Sequence, residues 1–305
     1  MTKEFYSNGK LLLTGEYAVL DGALSLAVPT SFGQSLKISE IETPQLVWRS
    51  LDEEGKIWFE TIFELDTFFS AYYKSSSEDS ITDTLLKILR EAKKLNPDFL
   101  EGNGGYAIET SLDFPRDWGL GSSSTLINNI AQWADVDAFE LLWNAFSGSG
   151  YDIACAQNET PVLYQLENEK PIVKKVDFNP PFAEHLYFIH LGKKQNSREG
   201  IAQYRKMEFD SEKLIREISG ITKKVLSCST LIAFEGLLQK HEQLISETLQ
   251  LPTVHDFLFP DYKGTIKSLG AWGGDFILAT GNASTPPYFK KKGYSVVLPY
   301  SKMVL

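Results

Sequence analysis

The run Asp117-Trp118-Gly119-Leu120-Gly121-Ser122-Ser123-Ser124 constrains this chain more than any other segment. Upstream, Gly105 to Leu112 reads as a strand that stops at Pro115. Downstream, Leu126, Ile127, Ile130 and Trp133 form a helical stripe. A glycine turn therefore leads from a strand into a helix N-terminus. Glycine lets a backbone approach an anion with no Cβ in the way. A helix starting near Ser122 aims free N–H groups and its positive dipole end at that anion. Serine hydroxyls donate to phosphate oxygens or offer oxygen to a hard cation. No Gly-Lys-Ser/Thr follows, so this is not a Walker A loop. Read alone, the same residues are equally a helix N-cap with flexible serines.

Three further segments carry chemistry, and each also has a plain structural reading. In Gly9-Lys10-Leu11-Leu12-Leu13-Thr14-Gly15-Glu16-Tyr17-Ala18-Val19 an apolar strand follows Lys10, whose ammonium could reach a phosphate or a reacting hydroxyl; otherwise it is a solvated lysine. In Gly148-Ser149-Gly150-Tyr151-Asp152-Ile153-Ala154 an aspartate follows a glycine turn and could take a proton from a substrate hydroxyl; otherwise it caps a helix. In Leu269-Gly270-Ala271-Trp272-Gly273-Gly274-Asp275 three glycines precede a strand, which implies a tight turn or close backbone packing.

Elsewhere the pattern is ordinary. Ser75 to Ser80 reads as a loop before a helix marked by Ile81, Leu85, Ile88, Leu89 and Ala92 and ended by Asn96-Pro97. A short helix is expected over 136–146 and a hairpin over 161–178 around Glu167 to Lys170. Leu186 to Leu191 reads as a strand, 212–226 and 231–249 as amphipathic helices, and 276–280 and 294–299 as closing strands. The segregation of strands and helices indicates an α+β chain with a boundary near 178–185. Phe68, Phe69, Tyr72 and Tyr73 form an aromatic cluster that could be core, pocket wall or interface, with core the default.

Composition removes several alternatives. With 305 residues, 43% hydrophobic and 23% charged, the chain can bury a core without staples. A net charge of −10 argues against nucleic acid as partner. Cys155 and Cys228 form no CxxC, and the four histidines show no metal-ligand spacing. No apolar leader and no stretch of about 20 apolar residues is present, so the expectation is a reduced, cytoplasmic protein with no membrane partner.

Taken together, the four segments resemble the GHMP (galacto-, homoserine, mevalonate, phosphomevalonate) kinase superfamily. Gly9-Lys10 through Ala18-Val19 is similar to its first motif, Pro115-x3-Gly119-Leu120-Gly121-Ser122-Ser123 to its phosphate loop, Ser149-Gly150-Tyr151-Asp152 to its Ser-Gly-x-Asp turn, and Gly270-Ala271-Trp272-Gly273-Gly274 to its C-terminal glycine turn. The sequence departs from the pattern in Ser7-Asn8 before Gly9, in Ser124-Thr125, and in Trp272 where the family has glycine.

The resemblance implies a two-domain fold: a ribosomal-protein-S5-like N-terminal domain over 1–180 and a ferredoxin-like α/β domain over 181–305, with the active site in the cleft between them. It implies ATP and Mg²⁺ as cofactors and a small-molecule substrate; a homodimer is left open. Gly119, Leu120, Gly121, Ser122, Ser123 and Ser124 would wrap the phosphates, and Gly273 and Gly274 would shape the wall. Asp152 would be the catalytic aspartate and Lys10 would offset charge. Ser123 would hold the metal, with Glu140 as candidate second ligand or else a surface residue. Gly-Glu-Tyr in the first motif, Gly-Ser-Gly before Tyr151-Asp152, and Asp275 lean towards the phosphomevalonate kinase branch. The acceptor stays open between mevalonate and its 5-phosphate. An ATP-dependent decarboxylase of diphosphomevalonate and a non-catalytic binding protein of the same fold are the alternatives.

Overall fold

A computed structural model describes residues 2–68, 80–102, 104–193 and 197–305. The expected serine loop at 75–79 and the aromatic side chains at 68, 69, 72 and 73 lie outside what it describes. In chain order the strands are β1 (Thr2–Thr14), β2 (Ser25–Ile41), β3 (Gln45–Leu51), β4 (Ile57–Glu64), β5 (Gly105–Leu112) and β6 (Val162–Glu167). They continue with β7 (Lys170–Lys175), β8 (Leu186–His190), β9 (Ile266–Ser268), β10 (Phe276–Thr280) and β11 (Val297–Pro299). The helices are α1 (Leu65–Phe68), α2 (Ser80–Leu95), α3 (Ser122–Ala134), α4 (Ala138–Ala145), α5 (Tyr151–Ala156) and α6 (Ser197–Tyr204). The remainder are α7 (Ser211–Leu226), α8 (Leu231–Leu249), α9 (Val254–Leu258), α10 (Thr285–Lys291) and α11 (Tyr300–Met303).

The chain forms two compact units. One comprises Met1–Gly9, Phe32–Arg116 and Gly121–Gln157; the other comprises Lys10–Ser31, Asp117–Leu120 and Asn158–Leu305. The two units interleave along the chain. The reason is that the long strands β1 and β2, and the loop after Pro115, each contribute residues to both units.

In the first unit β5 is central. It pairs antiparallel with the distal part of β2, Gln34 opposite Leu112 through Ile41 opposite Gly105, and parallel with β3. β4 closes that edge antiparallel to β3. Trp48, Phe63 and Ile108 are buried along these strands, as are Leu85, Ile88, Leu89 and Ala92 of α2. Trp133 at the end of α3 meets the edges of Phe99 and Tyr106. Helix α4 starts at Ala138 rather than at residue 136 because the Asp137 side chain accepts from the amides of Phe139 and Glu140 and so fixes the N-cap.

In the second unit the four strands run in the order β11-β8-β10-β9, antiparallel throughout. The proximal part of β2 pairs with β6, and β6 with β7. The expected hairpin is present, but its second strand ends at Lys175, and the last expected strand contracts to Val297–Pro299. Helix α7 buries Leu214, Ile218, Ile221 and Val225; α8 buries Phe234, Leu238, His241, Ile245 and Leu249. These are single stripes at helical spacing, and on α8 a histidine stands in the apolar row. Among the described residues no helix is long and apolar enough to cross a membrane.

Candidate functional site

The first unit positions the start of α3. Gly121 is its N-cap, in a left-handed conformation at φ 94°, with no side-chain cap and no acidic residue in the first turn. That leaves the positive end of the helix without a built-in anion. The three serines differ. Ser124 is buried and donates its hydroxyl back to Gly121 O (2.8 Å), so it braces the turn rather than facing outward. Ser122 is half-buried and Ser123 exposed. The exposed Ser123 hydroxyl is a hard oxygen donor that fits Mg²⁺ held mainly by phosphate oxygens and water. Among the described residues, no three His, Cys, Asp or Glu side chains converge as a metal site.

Ser7, one of the departures from the family pattern, explains how this helix is held. It is fully buried, donates to Asn129 Oδ1 (2.7 Å) and accepts from Asn128 Nδ2 (2.8 Å). Asn129 Nδ2 donates to Gln34 O (2.9 Å), and Thr125 Oγ1 donates to Gln34 Oε1 (2.8 Å). The first two turns of α3 are thus tied to β1 and β2 by buried hydrogen bonds, each costly to leave half-made.

Asp152 lies in the first turn of α5, behind Gly150 in a left-handed conformation at φ 89°. Its carboxylate is half-buried and accepts from the amide of Ile153 (3.2 Å). Helix α5 packs against α3 within this unit. Glu140 is exposed in the first turn of α4.

The second unit holds Lys10 and Gly119 together. Lys10 Nζ donates to Gly119 O (2.8 Å), and the Lys10 amide donates to Leu120 O (2.9 Å). Leu120 is fully buried, so only its backbone is available to a ligand. Gly119 has φ 67°, and a Cβ there would overlap the Asp275 carboxylate. His190 Nε2 donates to Asp117 O (3.2 Å), and Trp118 stands edge-on to Phe276 at 5.4 Å. These contacts fix Asp117–Leu120 against β8 and β10.

The glycine turn after β9 is anchored by Trp272 and Tyr17 and, beneath it, by Lys267, His241 and Glu242, three residues that reading the sequence did not single out. Trp272 does not widen the turn. Its indole is buried among Tyr17, Tyr204, Leu214, Ile218, Ile245 and Leu249, and donates to Pro252 O (3.2 Å). Its amide donates to Tyr17 Oη (3.0 Å). Gly273 is left-handed at φ 79°, and Gly274 is buried. Beneath the turn, Lys267 is fully buried and donates to Glu16 Oε1 (2.5 Å) and Ser268 O (2.7 Å). His241 Nε2 accepts from the Gly15 amide (2.9 Å) and lies 3.2 Å from Glu16 Oε2. Glu242 accepts from the amide of Ser268 and, at 2.8 Å, from its hydroxyl.

The electrostatics of this cluster follow from burial. Loss of solvent pushes the Glu16 carboxyl up, opposed by the Lys267 ammonium. It pushes Glu242 up to about 7 and holds His241 well below the usual imidazole range, so the ring is neutral. One signal in the sequence pointed here: His241-Glu242 interrupts the apolar stripe of α8.

No protein-family model and no curated protein matches the sequence. The fold does match solved structures. Mevalonate kinase from Methanococcus jannaschii superposes with a TM-score of 0.68 at 16% identity, covering 96% of this chain and 94% of that one. Streptococcus pneumoniae phosphomevalonate kinase, in complex with phosphomevalonate and AMPPNP, gives 0.68 at 16% over 95% of each chain. Lactococcus lactis galactokinase, in complex with galactose, gives 0.68 at 15% over 95% of this chain and 88% of that one. The mixed α/β fold of this chain is therefore the fold these three kinases share, as the motifs led one to expect.

Proposed function

We propose that this chain is an ATP- and Mg²⁺-dependent small-molecule kinase of the GHMP type, acting on a mevalonate-pathway intermediate, mevalonate or 5-phosphomevalonate. The observation that carries the reading is the glycine turn into α3, whose N-terminus has neither a side-chain cap nor an acid of its own. Such an end binds anions through its N–H groups and dipole. Asp152 on the neighbouring α5 supplies a carboxylate of the kind a hydroxyl acceptor needs. Two of the structural neighbours, a mevalonate kinase and a phosphomevalonate kinase, support the choice of acceptor.

In this reading the backbone of Gly119–Ser123 holds the phosphates, and Gly273 and Gly274 shape the wall. Ser123 offers a hydroxyl to the cation, and Glu140 is the second oxygen donor to test. Mg²⁺ arriving with ATP would be held by Ser123 and phosphate oxygens and would supply charge neutralisation there. A hydroxyl acceptor gives its proton to Asp152 as its oxygen bonds to the γ-phosphorus; a phosphate acceptor attacks through an ionised oxygen, where a nearby lysine takes over and proton abstraction matters less. The bond from that phosphorus to the β-bridging oxygen breaks, and ADP leaves. Lys10 offsets the charge that builds up on the acceptor side. Positioning and electrostatics supply most of the rate.

The test is Mg²⁺-dependent ADP release from ATP with mevalonate, 5-phosphomevalonate, homoserine and galactose as separate acceptors. Strong stimulation by one of the first two is expected. Stimulation only by galactose or homoserine would move the substrate class, and carbon dioxide release with diphosphomevalonate would replace transfer by decarboxylation.

A further inference from the structure

Tyr17 (φ 57°, ψ −47°) and Asp275 (φ 51°) are two of the five described non-glycine residues of the second unit with positive φ. A bulky residue such as Tyr17 avoids positive φ, whereas aspartate tolerates it; Tyr17 persists there where its surroundings over-determine it. Here the two are linked. Tyr17 Oη accepts from the Trp272 amide (3.0 Å), three residues before Asp275. The Tyr17 ring stacks on Tyr204 at 5.5 Å, and the Tyr204 hydroxyl donates to Asp21 (2.5 Å). At the other end the Asp275 amide donates to Lys193 O (2.9 Å), and Asp275 O accepts from the Leu191 amide (2.8 Å). Between these anchors the Asp275 carboxylate lies against Gly119, in the space a Cβ would fill. Gly119 O is in turn the acceptor for Lys10 Nζ.

We propose that Tyr17 and Asp275 are positioning residues: the Tyr17 hydroxyl anchors the Leu269–Asp275 turn through the Trp272 amide, and the turn seats the Asp275 carboxylate on Gly119, fixing the peptide that orients Lys10. The functional value of this clamp rests on the reading of Gly119 as part of a nucleotide-phosphate loop. The clamp also accounts for Trp272. An indole in place of glycine gives the turn a buried anchor, so the two glycines that follow keep their freedom while the backbone ahead of them is held. Helix α6 closes the clamp from outside, since a Cβ on Gly200 would come to 2.6 Å from Tyr17 Oη.

The experiment compares backbone amide hydrogen exchange and nucleotide affinity in the wild type, Tyr17→Phe, Gly200→Ala and Asp275→Asn. Tyr17→Phe keeps the ring and removes only the acceptor. Gly200→Ala favours the helix but displaces the Tyr17 hydroxyl, so it reaches the clamp without substituting either residue. In both, exchange at the Asp275 and Lys10 amides is expected to accelerate at least tenfold with the thermal midpoint nearly unchanged. Calorimetric affinity for AMPPNP should fall roughly five- to tenfold, in line with loss of a single preorganising contact. Asp275→Asn keeps the shape and tolerates the left-handed backbone, so it should retain Lys10 amide protection. Unchanged exchange at both amides in folded Tyr17→Phe and Gly200→Ala overturns the clamp. If the exchange pattern appears while the wild type itself binds no nucleotide, the positioning link stands and the kinase reading fails.

Discussion

Lys267 and Glu16, 251 positions apart in the chain, meet at 2.5 Å with both side chains out of solvent. The pair joins β9 to the turn that follows β1. A buried charge left without its partner is strongly destabilising, whereas replacing both partners by neutral groups is often tolerated. Lys267→Met alone is expected to cost about 3–5 kcal/mol, and Lys267→Met with Glu16→Gln to recover most of that. Urea denaturation of the two single variants and the double gives the coupling directly; additive losses would show that the two charges do not depend on each other.

Glu242 gives the cluster a pH signature. Burial raises its carboxyl to about 7, so the folded protein keeps a proton that the unfolded chain, near 4.5, has released. The stability this group contributes is full below about 4.5 and is lost as pH rises through about 7. Glu16 acts in the same direction. His241 acts in the opposite one, since its neutral form is favoured by folding and its contribution is lost as pH falls below 6.5. Glu242→Gln removes one term only. Relative to wild type it should gain on the order of 1 kcal/mol per pH unit between about 5 and 7. Denaturation midpoints that run parallel across this range would contradict the assignment.

Gly119→Ala is expected to damage the loop specifically. The new methyl meets the Asp275 carboxylate, and alanine disfavours the left-handed backbone by about 1–2 kcal/mol. Nucleotide affinity should fall at least tenfold while the far-UV spectrum stays native. Normal affinity in the alanine variant would remove Gly119 from the phosphate site.

Trp272→Gly restores the residue common to the family motif and should nonetheless be harmful. It empties an indole from the cluster around Tyr17, Tyr204 and Leu214 and removes the bond to Pro252. Large aromatic deletions in cores cost about 3–5 kcal/mol. A thermal scan showing no loss would mean the indole is not packed as described.

Local features were readable from the chain. The helix beginning at Ser122, the strand Gly105–Leu112 and the strand Phe276–Thr280 each carried their own periodicity and turn residues. Four short segments in order pointed to the fold. What stayed hidden depends on partners distant in sequence. Lys267 reads as an ordinary strand lysine until Glu16 is placed beside it, and Ser7 as a neutral replacement until Asn129 is. Trp272 reads only as a departure from the glycine of the family motif, because nothing local shows that its side chain packs against α7 and α8. Ser124 belonged to the expected phosphate contacts by its position in the run, yet its hydroxyl turns back on Gly121.

The central claim is phosphoryl transfer assisted by Asp152, and the most direct measurement follows the γ-phosphoryl group itself. With γ-labelled ATP, Mg²⁺ and each of mevalonate and 5-phosphomevalonate, the wild type should move label onto one acceptor with matching ADP. Asp152→Asn should bind nucleotide as the wild type does and transfer at least a hundredfold more slowly. Label that stays on ATP or appears only as inorganic phosphate, or transfer at the normal rate in Asp152→Asn, would contradict the account.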